Sequence, residues 1–312
     1  INSYAFIVVI VWSSFNRLSP QLIHRLLTYL KIAAIYLTGV VLVAHLRGGI
    51  SYNTESNFGS SNGMAPVQLS GYLGLGSILL IFSFLNPEEA KYRWLNIILF
   101  TVCTTVMILT FSRGGLYFLG IIIILYAYFN KASLGSYVKF LFIIPFGILI
   151  YYFVINQTQG TIAKRYQKKG SSNRDVLVMA GFKLFLDDPV IGVGTSNYST
   201  QVVKRRYFDQ VSTAHNEFVR AIAEHGIIGL VTYWGFFIAT FINIWRRHGP
   251  QKEFSLYFLV LFCLIVVHNG LKISIQHLLV MMAVANPNVE YIRYKLKHVR
   301  KAGTATSQLQ TS

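Results

Sequence analysis

A succession of apolar runs limits this chain more than any other feature. The stretches 66–85, 94–111, 227–245 and 254–267 contain no charged residue. About 20 such residues in helical form cross the hydrocarbon core of a bilayer. Charged residues make up only 12% of the chain and hydrophobic ones 54%. A soluble domain carries roughly 25% charge. The sequence therefore reads as an all-α polytopic membrane protein, in which the membrane supplies the surroundings that a soluble core would otherwise provide.

Taken in order, spans are expected over 1–12 (the end of a truncated one), 32–46, 66–85, 94–111, 116–129, 140–155, 227–245, 254–267 and 273–285. That makes about nine. The apolar start at Ile1 has no basic stretch before it, as a signal peptide would. It reads as a fragment whose first helices are missing. Arg17, His24, Arg25 and Lys31 mark a basic loop, and the Gly- and Ser-rich stretch 47–65 an exposed one. Gly71, Gly74 and Gly76 are placed to let helices approach closely. Cys103 and Cys263 sit in separate apolar runs and read as packing residues.

Four regions follow. They are truncated N-terminal membrane helices over 1–155, a polar loop subdomain with short helices over 156–225, C-terminal membrane helices over 226–290, and a basic tail over 291–312. The loop from Asn156 to Glu224 holds ten Lys/Arg against six Asp/Glu. If the tail is cytoplasmic, counting back puts Arg246-Arg247, Lys131, Lys91, Arg93 and Arg17 inside. The same count puts the long loop and Ser112-Arg113 outside. A basic loop on that side invites an anionic ligand. The net charge of +17 suits anionic lipid. It gives no support for nucleic acid, since no recognised motif accompanies it.

Ionisable residues are expected near span ends, including His45, Arg113, His268, Lys272 and His277. Ion-coupled transporters place such groups near the midplane. Here the polar chemistry gathers at one surface, which disfavours a flippase or exporter.

Three stretches could carry that chemistry. Ser112-Arg113-Gly114-Gly115 sits between apolar runs, where the glycines let the chain bend and a guanidinium fork suits phosphate. A snorkelling arginine is the plain alternative. Arg174 follows Ser171-Ser172-Asn173 at the start of a short amphipathic helix patterned by Val176, Leu177, Ala180 and Leu184, with Asn173 as its cap. The free N–H groups of that first turn favour an anion, although a solvated surface arginine would fit too. That helix should end at Asp187-Asp188-Pro189, before a flexible Gly192-Val193-Gly194 turn.

His215 falls in STAHNEFVRAIAEHG, in the first turn of a helix expected to be capped by Ser212 or Thr213. The helix dipole and nearby arginines favour a neutral imidazole there, as a general base requires. Glu217 pulls the other way, and a structural histidine bonded to a carbonyl is the alternative. Arg220 and Glu224 are spaced for an i,i+4 pair. The histidines show no HExxH spacing and there is no GxSxG elbow, so metal and serine-nucleophile chemistry are weakly supported.

In this order, FSRGGLYFL, NRDVLVMAGFKLFLDDPVIGVG and AHNEFVRAIAEHGIIGL resemble the O-antigen ligase and polymerase superfamily. The resemblance covers most of the chain from about residue 66. It implies a GT-C-like helical bundle in the bacterial inner membrane, with about three more spans upstream and the active site on the extracytoplasmic face. It further implies that Arg113 and Arg174 match essential arginines and His215 an essential histidine. Asn216, Arg205 and Arg206 are expected beside them as substrate contacts.

The implied donor is a glycan on undecaprenyl diphosphate, the acceptor is lipid A core or another glycan, and no metal or cofactor is implied. The resemblance implies inverting transfer to the acceptor hydroxyl. Ligase and polymerase share these motifs and differ in acceptor. A subunit that only binds polysaccharide lipid is the remaining alternative, and it is disfavoured by the presence of all three residues.

Overall fold

In the computed structural model, residues 17–48, 50, 52, 54, 58–129, 144–167, 174–212, 214–269 and 275–287 are described. The expected span over 1–12, Lys131, the Ser171-Ser172-Asn173 lead, Thr213, Lys272 and the basic tail lie outside them. The described elements are α1 (Pro20–Leu46), α2 (Pro66–Leu85), α3 (Arg93–Leu109), α4 (Gly114–Phe129), α5 (Ile144–Gln157), α6 (Thr161–Gln167), α7 (Arg174–Asp187), α8 (Tyr198–Lys204), α9 (Glu217–Gly229), α10 (Gly235–Trp245), α11 (Pro250–Asn269) and α12 (Ile275–Val284). A π turn, Leu230–Trp234, joins α9 to α10. Apart from these helices there is a two-residue parallel pairing of β1 (Arg17–Leu18) with β2 (Asn286–Pro287).

Five helical stretches are long and apolar enough to cross a membrane: Gln21–Leu46, Gly59–Leu85, Glu89–Leu109, Glu217–Trp245 and Gln251–His268. Three more, Gly114–Phe129, Ile144–Gln157 and Ile275–Val284, are apolar but shorter. Outward faces carry large apolar side chains such as Tyr36, Ile98, Ile124 and Ile238. Water would not tolerate so continuous an apolar surface, whereas lipid does.

The first helix corrects the expected basic loop. Ser19 Oγ accepts from Leu22 N at 3.2 Å and Pro20 occupies the first turn, so α1 starts well before Lys31. Lys31 then lies within the span. Its charge is met by Glu89 Oε2 at 3.1 Å and its Nζ also donates to Ser83 Oγ at 2.9 Å. Close helix approach follows the glycines. A Cβ on Gly74 would stand 2.8 Å from Gly115 Cα, and one on Gly76 would overlap the Ala34 methyl. The crossing of α2 and α4 is bonded as well as close, since Gly115 N donates to Ser70 Oγ at 3.0 Å.

The helices alternate in direction, which sorts the connections onto two rims. One rim holds residues 110–113, the α6–α8 segment and the C-terminal end of α11. It is tied by Ser70 Oγ to Ser112 O at 3.3 Å and by Arg174 to His268. The other rim holds 86–92 and 246–249, where Arg247 Nη1 donates to Ala285 O at 2.7 Å. The three short helices α6–α8 form a layer on the first rim. Part of that layer has its own small core of Ala180, Leu184, Tyr198, Val202, Ala214 and Ala223.

Candidate functional site

The chain turns sharply at 110–113. Phe111 adopts φ +60°, which is costly for an aromatic residue. It is buried, and its ring stacks on Tyr52 at 5.7 Å. The turn delivers Arg113 to the rim immediately before α4 begins at Gly114. Arg113 Nη2 donates to Arg165 O at 2.7 Å, and its guanidinium lies 5.3 Å from the centre of the Tyr166 ring. Its Nε is buried without a hydrogen-bond partner. Arg165 Nη1 in turn donates to Thr54 O at 2.8 Å.

Arg174 opens α7 at the same rim. Val176, included in the apolar pattern, is exposed, whereas Leu177, Ala180, Gly181 and Leu184 are buried. The closest partner of Arg174 is His268, with Nη1 2.7 Å from Nδ1. Burial, and then the charge of Arg165, push the Arg174 guanidinium below its ordinary pKa. No ion pair among the described residues engages Arg113 or Arg174. Two half-buried cations thus have a carbonyl, an aromatic face and an imidazole for neighbours. A charge in such a place calls for an opposite charge, and a guanidinium favours an oxyanion.

His215 stands next to these groups, but not where the sequence places it. Helix α9 starts at Glu217, and its cap is Asn216, whose Oδ1 accepts from Phe218 N at 3.0 Å and Val219 N at 3.3 Å. Ser212 precedes the cap and does not supply it; Thr213 lies outside the described residues. Asn216 prevails because one carbonyl oxygen satisfies two orphan N–H groups. His215 therefore precedes the helix, at φ +51°, within electrostatic range of His268. His268 gathers the other parts: Arg174 bonds it, and a Cβ on Gly114, the neighbour of Arg113, would overlap its ring.

The DDPVIGVG segment is a fixed brace. Val193 N and Gly194 N donate to Ala223 O and Glu224 O, each at 3.0 Å, and Ile227 N donates to Pro189 O at 2.8 Å. Gly192 and Gly226 both have positive φ, and a Cβ on either would run into the other segment's backbone. The brace ties α7 to the kink between α9 and the membrane. It also corrects the expected Arg220–Glu224 pair. Glu224 turns to accept from Tyr198 N at 3.4 Å, and Arg220 pairs with Glu217 at 2.5 Å.

The remaining expected contacts are placed differently. Arg205 forks Asp187, at 2.7 Å, and Asp188 at the far end of α7. That is roughly 20 Å from Arg174 at 1.5 Å per residue. Arg206 is exposed at φ +58°. His268, Arg165, Tyr117 and Tyr166 join the site without having been singled out. For His268 a signal existed, since alternation of spans puts the end of 254–267 on the same side as Ser112-Arg113. Arg165 lies in a basic run with nothing in the sequence to separate it from its neighbours.

Fold and site together define a multi-pass helical membrane protein with a cluster of arginines and histidines on one rim. The O-antigen ligase family matches residues 96–234, a stretch that includes Arg113, Arg174 and His215. Over that stretch, less than half of its length, the chain is similar to the O-antigen ligase family. No curated protein matches the chain.

Proposed function

We propose that the chain is a glycan ligase of the bacterial inner membrane. It transfers glycan from undecaprenyl diphosphate to a hydroxyl of lipid A core or a similar acceptor. The observation that carries this reading is the pair of half-buried guanidiniums, Arg113 and Arg174, with no carboxylate partner among the described residues. They hold the diphosphate and stabilise the charge that grows on it as it leaves. His215 takes the proton of the acceptor hydroxyl as that oxygen attacks the anomeric carbon. The new C–O bond forms as the anomeric C–O bond to phosphate breaks. Undecaprenyl diphosphate departs, and the anomeric centre inverts.

The decisive experiment uses the full-length protein in membranes with a lipid-linked donor and two acceptors, lipid A core and a second lipid-linked glycan. Transfer to the core supports a ligase. Transfer only to the second glycan assigns the polymerase reaction, and transfer to neither rejects both. Chelation of divalent metal should leave the rate unchanged. For sidedness, Gln210→Cys should react with an impermeant thiol reagent from outside the membrane, and Ala90→Cys only after permeabilisation. The reverse pattern would place the site in the cytoplasm.

A further inference from the structure

His268 has no part in the reaction just described, yet the site is assembled around it. It lies in the last turn of α11 and receives the Nη1 hydrogen of Arg174 at 2.7 Å on Nδ1. A guanidinium has donors only and keeps its proton. Nδ1 must therefore accept. The ring proton then sits on Nε2, and the imidazole is uncharged.

Packing fixes the ring so that Nδ1 keeps this aim. Tyr117 and Phe118 meet it edge to face at 6.5 and 6.2 Å. Gly114 lies flat against it, where any Cβ would overlap Cδ2 and Nε2. The second glycine-dependent contact of this turn, Gly115 on Ser70, holds α4 against α2 and keeps Gly114 in place.

A carboxylate would grip Arg174 more strongly, by a bidentate fork, but would cancel its charge. Arg205 shows that outcome in the same molecule, with two aspartates. An imidazole acceptor orients one N–H and leaves the positive charge and the remaining donors available. We propose that His268 is a positioning residue: a neutral acceptor that aims the Arg174 guanidinium while reserving its charge for the donor's diphosphate. The proposal rests on the reading of Arg174 as a diphosphate ligand.

The test compares His268→Asn, His268→Asp and His268→Leu in the purified full-length protein. Inorganic pyrophosphate binding and donor kinetics are the readouts. Asn and Asp have the same shape and differ in charge. His268→Asn should stay within about threefold of the parent, and His268→Asp should raise pyrophosphate Kd and donor KM about tenfold or more. His268→Leu should lower kcat/KM by about tenfold. Equal behaviour of Asp and Asn, or an unaffected Leu variant, overturns the proposal.

Two controls separate its failure from that of the underlying reading. Unchanged pyrophosphate binding in Arg174→Ala would reject the diphosphate reading itself. Nitrogen-15 NMR of the unsubstituted protein needs no variant to fold. A proton on Nε2 of His268 supports the contact, and a proton on Nδ1 overturns it.

Discussion

The two ends of α7 carry charge in opposite ways. The helix dipole favours anions at the N-terminus and cations at the C-terminus. Arg174 at the first position and Asp187 at the last, with Asp188 just beyond it, oppose that preference, whereas Asp175 in the first turn follows it. At the C-terminal end the chain corrects this itself. Arg205 forks both aspartates, and the Tyr207 hydroxyl donates to Asp187 at 2.6 Å. At the N-terminal end Arg174 receives a neutral imidazole and the repulsion of Arg165. The C-terminal end is a closed ion cluster that holds the brace beside it. On the proposed function, the N-terminal end takes its anion from the substrate. A surplus of cations is therefore not in itself a binding site; what distinguishes one is the lack of an internal partner.

The largest effect should fall on His215. Replacing it with alanine removes the proposed base and should lower transfer at least about a hundredfold, while pyrophosphate binding stays near normal. A variant that still transfers at the parental rate would remove His215 from the chemistry. It would leave the anion end of α7 as a binding site only.

Arg174→Ala and Arg113→Ala should come next. Each loses donor contacts made by a half-buried guanidinium, and each should weaken turnover with lipid-linked donor by about a hundredfold. Arg174→Lys should recover only part of this, because an ammonium cannot reproduce a planar fork. Full recovery by lysine would show that charge alone matters, and the distinction between aimed and merely present arginines would fail.

A smaller loss is expected from Gly114→Ala. Its φ is not in the left-handed region, so alanine is tolerated by the backbone, and the methyl group acts by displacing the His268 ring. Kinetics should show about a tenfold fall in kcat/KM with the protein still folded, as measured by its melting temperature. Unaltered kinetics would mean that the ring has room to move and still serve Arg174.

Much of the frame was legible in the sequence because lipid leaves few choices. An apolar run without charges has to form a helix, and Gly74 and Gly76 do sit where helices touch. The described residues supply eight of the nine expected apolar segments, five of them of spanning length. Choices among chemically similar neighbours were not legible. Ser212 and Asn216 are both capping residues by type, and only the placement of two N–H groups on Asn216 separates them. Glu217 and Glu224 are both within reach of Arg220 by spacing, until the brace draws Glu224 to Tyr198. Arg205 and Arg206 look available in a basic run, because nothing local shows that aspartates 17 and 18 residues earlier fold back onto Arg205. His268 is 94 residues from Arg174, so only the parity of the spans relates them.

The smallest effect, and the sharpest check on the comparison, should come from Arg205→Ala. The cluster is solvent-exposed, and exposed ion pairs contribute little. Transfer should stay within about twofold of the parent, with the melting temperature lowered by no more than about 2 °C. Its pH dependence has a definite sign. The Tyr207 hydroxyl first, and Arg205 second, hold the Asp187 carboxyl below its ordinary pKa. A depressed carboxyl pKa contributes stability that is present above the unfolded value, about 3.9, and is lost as pH falls through the folded value. The parent and Arg205→Ala should therefore differ in melting temperature near neutrality and converge in acid. A difference that widens in acid would contradict the assignment of Asp187. A loss of transfer as large as that of Arg174→Ala would show that both ends of α7 serve the substrate.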